Sequence, residues 1–536
     1  MYDYVIVGAG SAGCVLANRL TEDPSTTVLL LEAGGSDEEQ AIHIPAAFSS
    51  LFKSPLDWAY ETEEQPHLHN RRLYWPRGKV LGGSSSINAM IYMRGNRRDY
   101  DHWGELGNEG WSYSDVLPYF KKAENEEREA LRASEYHATG GPLNVTDLRT
   151  LNPLTHAFVE AGVEAGLPLM NDFNGAEQDG IGFYQVTQRQ GLRHSAAVGY
   201  IHPILSRPNF TLQTHTLVTN VIFEGTRAVG VAYVQNGEKQ QVNANKEVIL
   251  SGGAINSPQL LMLSGIGPAN HLNALGIPGV ADLPGVGQNL QDHLAIVVLY
   301  ASTQPISLIH AQTPEHLQDF IENKMGPLTS NVAEAGAFVR TQANLPVPDI
   351  QYHFAPVYYL NHGFTVPEGD GYTIAPCILH PQSRGYIALR STNPAEAPII
   401  QPNYFADEAD MQVLVEGVKI ARKLGKTQAF APFRDVETHP GPQVQSDEEI
   451  AEYIRNYAET LYHPVGTCKM GNDSMAVVDA DLRVRGVEGL RVIDASIMPT
   501  VVGGNTNAPT IMIAEKVADV IKGTASVLLS TSAAND

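Results

Sequence analysis

Short apolar runs that end on glycine or on a carboxylate set the frame of this chain. Tyr4-Val5-Ile6-Val7 leads without a spacer into Gly8-Ala9-Gly10-Ser11-Ala12-Gly13, residues 14–20 carry a helical pattern, and Val28-Leu29-Leu30-Leu31 is closed by Glu32. Runs this short with no polar alternation are buried on both faces, as strands of a parallel sheet are. The same kind of run recurs at 247–251, again ahead of glycines Gly252 and Gly253, and at 490–494. Such strands bury their faces only together, so regions far apart in the chain are expected to share one sheet.

Between them the pattern changes. Residues 210–214, 220–223, 228–234 and 240–242 read as short strands, with turn signals at Gly225 and Asn236-Gly237. Residues 349–359 and 372–391 alternate with the period of a half-buried sheet. Helices are predicted over 113–129, 198–205, 408–424, 447–460 and 508–521, the fourth opened by a capping box, Ser446 to Glu449. The stretch 34–76, rich in Pro, His and Trp, reads as a lid. The expectation is an α/β dinucleotide-binding domain, discontinuous in sequence (1–38, 76–155, 195–295, 465–525). Inserted into it is an α+β substrate-binding part on an antiparallel sheet (39–75, 156–194, 296–464), with the pocket at the junction. Residues 526–536, small and polar, are expected to be a flexible tail.

Composition narrows the functions. With 36 Lys+Arg against 59 Asp+Glu the net charge is −23, and no basic cluster reverses it locally, which excludes nucleic acid as a partner. Cys14, Cys377 and Cys468 are scattered, so neither a disulfide framework nor a metal site is expected. The longest apolar runs, such as 294–301, fall far short of the roughly eighteen residues that span a bilayer. The first strand begins too near Met1 for a cleavable leader. A cytoplasmic protein is expected, with peripheral attachment to the inner face of the membrane left open, as is the oligomeric state.

The opening loop has the G-x-G-x-x-G spacing in its informative context, after a strand and opening a helix. Gly8 permits the tight turn, Gly10 lets backbone approach a pyrophosphate, and Gly13 allows close helix–strand packing in a Rossmann-like unit. The helix start offers free N–H groups to phosphate. Glu32 is placed to accept from the ribose hydroxyls. The fingerprint alone does not choose between FAD and NAD.

Three further stretches do. They are Gly78-Lys79-Val80-Leu81-Gly82-Gly83-Ser84-Ser85-Ser86-Ile87-Asn88; Gly253-Ala254-Ile255-Asn256-Ser257-Pro258-Gln259, running on to Gly267; and His463-Pro464-Val465-Gly466-Thr467-Cys468-Lys469-Met470-Gly471 with Gly503-Gly504-Asn505-Thr506-Asn507-Ala508-Pro509. With the opening loop they closely resemble the glucose–methanol–choline (GMC) oxidoreductase family, and within it the choline dehydrogenase-like FAD alcohol dehydrogenases.

The resemblance implies oxidation of a primary alcohol to the aldehyde, by hydride transfer to flavin N5 with a histidine base. It also implies an electron acceptor that is a quinone or dye more than oxygen. Choline specifically, or a non-redox lyase or decarboxylase on the same scaffold, are the alternatives. Against decarboxylation stand His463 and Leu379, which precedes His380-Pro381-Gln382-Ser383. Some relatives bond FAD covalently through a histidine where this chain has Ile87, so non-covalent FAD is expected.

The resemblance assigns FAD to Gly8, Gly10, Ser11, Ala12, Gly13, Glu32, Ala33, Arg77, Leu81, Gly82, Gly83, Ser84, Asn88, Ala89 and Met90. From the rest of the chain it adds Val218, Gly252, Asp494, Ala495, Asn505, Asn507, Ala508 and Pro509. It makes His463 the base, since imidazole titrates near neutrality, and Asn507 the amide that holds the substrate oxygen. Glu334, with Trp58 and Tyr359 as aromatic partners, is where a cation site for choline would lie.

Overall fold

The computed structural model describes residues 1–524; the expected tail at 526–536 lies outside the described residues. Two sheets carry the fold. In the first, Tyr2–Val7 lies between Val28–Leu31 and Glu238–Leu250, with Phe210–Gln213 beyond Val28–Leu31, all parallel. Leu490–Val492 pairs in parallel with residues 248–250. The early, middle and late apolar runs therefore do meet, and Val5, Ile6, Leu30, Val248, Ile249, Leu250 and Val492 are fully buried. Glu238–Leu250 is one strand of 13 residues, where the pattern read as two, at 240–242 and 247–251. Its polar first half pairs antiparallel with Arg227–Gln235, itself paired with Thr216–Glu224. The alternation changes along the strand because the surroundings change from solvent to core.

The second sheet runs Arg434–His439, Val298–Ser302, Gly371–Ile378, Ile350–Ala355, Ala335–Val339, Gly180–Phe183, every pairing antiparallel. Helices Pro153–Glu164 and Glu408–Gly425 cover one face. The pleat sorts Ile350–Ala355 cleanly. Tyr352 and Phe354 point to the helices, where the Tyr352 hydroxyl donates to Gly417 O and Phe354 stacks on Phe158. His353 and Ala355 point the other way and line a cavity. Leu294–Ala295 pairs within this sheet and Pro153–Glu164 packs on it.

Two predicted helices differ. The helix expected over 113–129 is Tyr113–Ala123, because Glu124–Glu126 turns inward as a strand beside Leu143–Asp147. Its acids are buried counterions: Arg94 Nη2 lies 2.9 Å from Glu124 Oε1, His137 Nδ1 lies 3.1 Å from it, and Gln185 Nε2 donates to Glu126 at 2.9 Å. Residues 198–205 form a π-helical turn, Ala197–Ile201, and a 3-10 turn, His202–Ile204. The Ser446–Glu449 capping box forms at the start of Asp447–Tyr457. Among the described residues no helix is long and apolar enough to cross a membrane.

Candidate active site

The two sheets and the 34–76 excursion close around a cavity of about 330 Å³. Gly8, Gly10, Ser11, Ala12, Glu32, Ala33, Arg77, Gly83, Ser84, Asn88, Ala89, Met90, Val218, Gly252, Asp494, Ala495, Asn505 and Asn507 line it. Gly13, Leu81, Gly82, Ala508 and Pro509 stand behind its wall. Gly13 belongs there, because a Cβ on it would sit 1.9 Å from Gly8 O. Gly83, at φ +54°, lies on Gly10, and Gly82 N donates to Ala9 O at 2.7 Å, so the second glycine loop is clamped to the first.

Helix Ser11–Leu20 and the closing helix Asn507–Lys522 both begin at the cavity, and neither has a side-chain cap. Their first N–H groups are therefore free for an anionic ligand. Glu32 accepts from Ala9 N (2.9 Å) and Gly34 N (2.8 Å), and burial pushes its carboxyl up to about 7. Asp494 serves as a tie: one oxygen accepts from Gly253 N and Ser257 Oγ, joining the last strand to the helix after the middle one. A glycine-walled cradle with two bare helix starts and a carboxylate at the strand end fits the dinucleotide FAD. Ile87, in the wall, offers no nucleophile to a flavin.

At the far end stands His463, buried, its pKa driven well below the ordinary 6.5 by loss of solvent. Its backbone is held firmly: His463 N donates to Asp292 Oδ1 at 2.8 Å, and Arg77 Nη2 donates to Tyr462 O at 2.6 Å. Tyr462 sits at φ +71° and Val332 across the cavity at φ +69°. A branched residue there is strained, a feature that clusters at functional sites.

Asn505, rather than Asn507, is the amide beside the histidine, with Nδ2 at 3.3 Å from His463 Nε2. The assignment of Asn507 is corrected. It is the first residue of the closing helix, and its Oδ1 accepts from Ser11 Oγ at 2.7 Å, which joins the two uncapped helix starts. Two neighbours carried no recognisable signal in the sequence. His293 Nδ1 lies 2.9 Å from His463 Nδ1. His353 lines the cavity with neither ring nitrogen partnered among the described residues, and burial lowers its pKa to about 3.

The cation site is corrected as well. Glu334 does not line the cavity; Ala333 and Val332 do. One step along an extended chain reverses the side chain, and the Glu334 carboxylate faces the start of helix Pro153–Glu164. There it accepts from Asn152 N (2.9 Å), Thr155 Oγ1 (2.5 Å) and Ser330 Oγ (2.6 Å). Trp58 and Tyr359 do line the cavity, with Phe48, Phe52 and Tyr462. Trp58, however, is stacked on Tyr60 at 5.7 Å and carries the Lys79 ammonium 4.6 Å from its ring. The acids that line the cavity, Glu32 and Asp494, are both at the glycine loops, bonded to Ala9 N and Gly253 N.

The same architecture occurs in known proteins. Pyridoxine 4-oxidase from Mesorbium loti superposes with a TM-score of 0.90 at 34% identity, covering 98% of this chain and 99% of that one. Formate oxidase from Aspergillus oryzae RIB40, in a study of FAD modification, gives 0.92 at 28%, with the same coverage. In sequence the chain is 51% identical over 529 residues to the alcohol dehydrogenase (acceptor) of Pseudomonas putida, covering 97% and 96% of the two chains. It is 51% identical over 536 residues to human mitochondrial choline dehydrogenase, covering 97% and 90%. GMC oxidoreductase domains match residues 2–295 and 381–514, taking in the glycine loops and His463 together, and the chain belongs to the GMC oxidoreductase family.

Proposed function

We propose that the protein oxidises an uncharged primary alcohol to the aldehyde, with FAD held without a covalent bond. The observation that carries this is the convergence of His463 Nε2 and Asn505 Nδ2, 3.3 Å apart, at the apolar end of the cavity. A hydroxyl that faces both from the cavity would give its proton to a neutral imidazole kept so by burial. The amide N–H then holds the oxygen as negative charge develops on it. Flavin, when bound in the glycine cradle, supplies the hydride acceptor. The phenyl, phenol and indole walls exclude water and favour an apolar substrate chain.

Choline is the second reading, favoured by the 51% identity to human choline dehydrogenase. The environment of Trp58 and the distant Glu334 carboxylate weigh against it. An anaerobic panel read by flavin bleaching decides: choline should be turned over more poorly than its uncharged isostere 3,3-dimethylbutanol. If His463→Ala reduces its flavin at the wild-type rate, the assignment of the base fails. A quinone or dye as acceptor is supported by the name of the Pseudomonas putida relative, although a relative 47% identical is an oxygen-dependent choline dehydrogenase. Peroxide formed in air as fast as alcohol is consumed would reverse that choice.

A further inference from the structure

A base needs a bare nitrogen facing its substrate, and a neutral imidazole has a single bare nitrogen. Nothing at His463 itself settles that Nε2 is the bare one. We infer that His293, which does not line the cavity, selects the tautomer: it accepts the Nδ1–H of His463, on a polarity imposed by the peptide carbonyl of Leu379. The inference rests on the reading of His463 as the base.

The chain of donors has one consistent solution. His293 is completely buried, and its Nε2 lies 3.0 Å from Leu379 O. A carbonyl only accepts, so Nε2 carries the hydrogen. Burial keeps this ring neutral, which leaves Nδ1 bare. That nitrogen faces His463 Nδ1 at 2.9 Å with the rings at 84°, so His463 Nδ1 must donate and His463 Nε2 must be bare. The opposite tautomer would set two lone pairs against each other, or would turn the His293 hydrogen away from Leu379 O and leave that buried acceptor unmet.

The amide on the other side is set the same way. The Tyr184 hydroxyl donates to Tyr352 O at 2.8 Å, so the Tyr184 hydroxyl oxygen is the acceptor for Gln351 Nε2 at 2.9 Å. Gln351 Nε2 also donates to Asn505 Oδ1 at 3.2 Å, which turns the Asn505 NH₂ toward His463 Nε2. A donor there is satisfied only by a bare Nε2, so two independent chains, each anchored on a peptide carbonyl, agree. His293 is thus a positioning residue, and when His463 takes a proton on Nε2 the Nδ1–H bond to His293 is already made.

The test uses FAD-loaded protein and two readouts. In single-turnover reduction with 1-hexanol, His293→Leu, which has no acceptor, should be ~10- to 10²-fold slower at unchanged flavin content, the equivalent of one lost buried hydrogen bond. His293→Gln and His293→Asn, whose amides can both accept and donate, should recover most of the rate. In [¹⁵N]histidine-labelled resting protein the His463 signals, identified by their loss in His463→Ala, should show a protonated Nδ1 and a bare Nε2. Wild-type rates in His293→Leu, equal slowness of the Leu and amide variants, or a proton on His463 Nε2 would each overturn the inference. If His293→Leu fails to load flavin, the wild-type spectrum and the amide variants still decide. If His463→Ala is itself unimpaired, the function proposed above falls instead.

Discussion

Removing the Glu334 carboxylate separates two accounts of the same residue. The structure makes it an anchor that accepts three buried hydrogen bonds, two of them from the start of helix Pro153–Glu164. A carboxylate there also favours the helix dipole. Glu334→Ala leaves three donors without an acceptor, each costing about 1–3 kcal/mol, and hydroxyls that can turn bring the sum to roughly 4 kcal/mol. For a cooperative unit of the second sheet's size that lowers the thermal midpoint by about 10 °C. Glu334→Gln keeps an acceptor and the volume, and should cost about 1 kcal/mol.

Had the carboxylate faced a bound quaternary ammonium at about 4 Å, its loss would forfeit roughly 4 kcal/mol, or about 10³-fold in the preference for choline over 3,3-dimethylbutanol. Thermal unfolding followed by flavin release, together with kcat/KM for the two alcohols, measures both quantities. The expected result is a preference in Glu334→Gln within about twofold of wild type. A collapse of that preference with the midpoint unchanged would refute the anchoring role.

Asn505→Ala should slow flavin reduction by about 10²-fold, as loss of an oxyanion donor does, whereas Asn507→Ala should mainly weaken flavin retention; stopped-flow reduction and dialysis against buffer distinguish them. Acid precipitation should release all the flavin into the supernatant, and flavin left in the pellet would show a covalent bond that Ile87 cannot supply. His353, neutral in the fold to about pH 3, binds a proton below 6.5 only when unfolded, so its contribution is present above pH 6.5 and lost as pH falls toward 3. At pH 5 that is about 2 kcal/mol. Glu32 and Asp292, pushed up to about 7 and 6, act in the opposite sense, so the check is a difference. The fall in thermal midpoint from pH 7 to 5 should be shallower in His353→Gln than in wild type.

What was legible in the sequence is what short-range pattern encodes. Apolar runs ending at Gly8, Glu32, Gly252 and Asp494 mark the parallel strands because burial on both faces leaves no room for alternation. His463 stood out through the loop around it. The failures each come from a direction that sequence spacing does not carry. Asn505 and Asn507 lie two residues apart where loop becomes helix, and only the helix start decides which points at the base. Glu334 and Ala333 differ by one step of the chain. Glu124 and Glu126 fall within the predicted helix, and are buried because Arg94, 30 residues earlier, reaches the first and Gln185, 59 residues later, reaches the second. His293 is separated from His463 by the length of the second sheet, so no local pattern could join them.

The parallel sheet, finished by Leu490–Val492, has a consequence for how the protein is made. A chain released at residue 480 would contain every strand of the antiparallel sheet, yet would lack the edge that covers residues 248–250, the Asp494 tie, Asn505 and the closing helix. The cavity wall is therefore complete only once residues 490–522 have been made, long after the first glycine loop. Until then the apolar end of Glu238–Leu250 is an open strand edge, the kind of surface that chaperones guard and aggregation exploits.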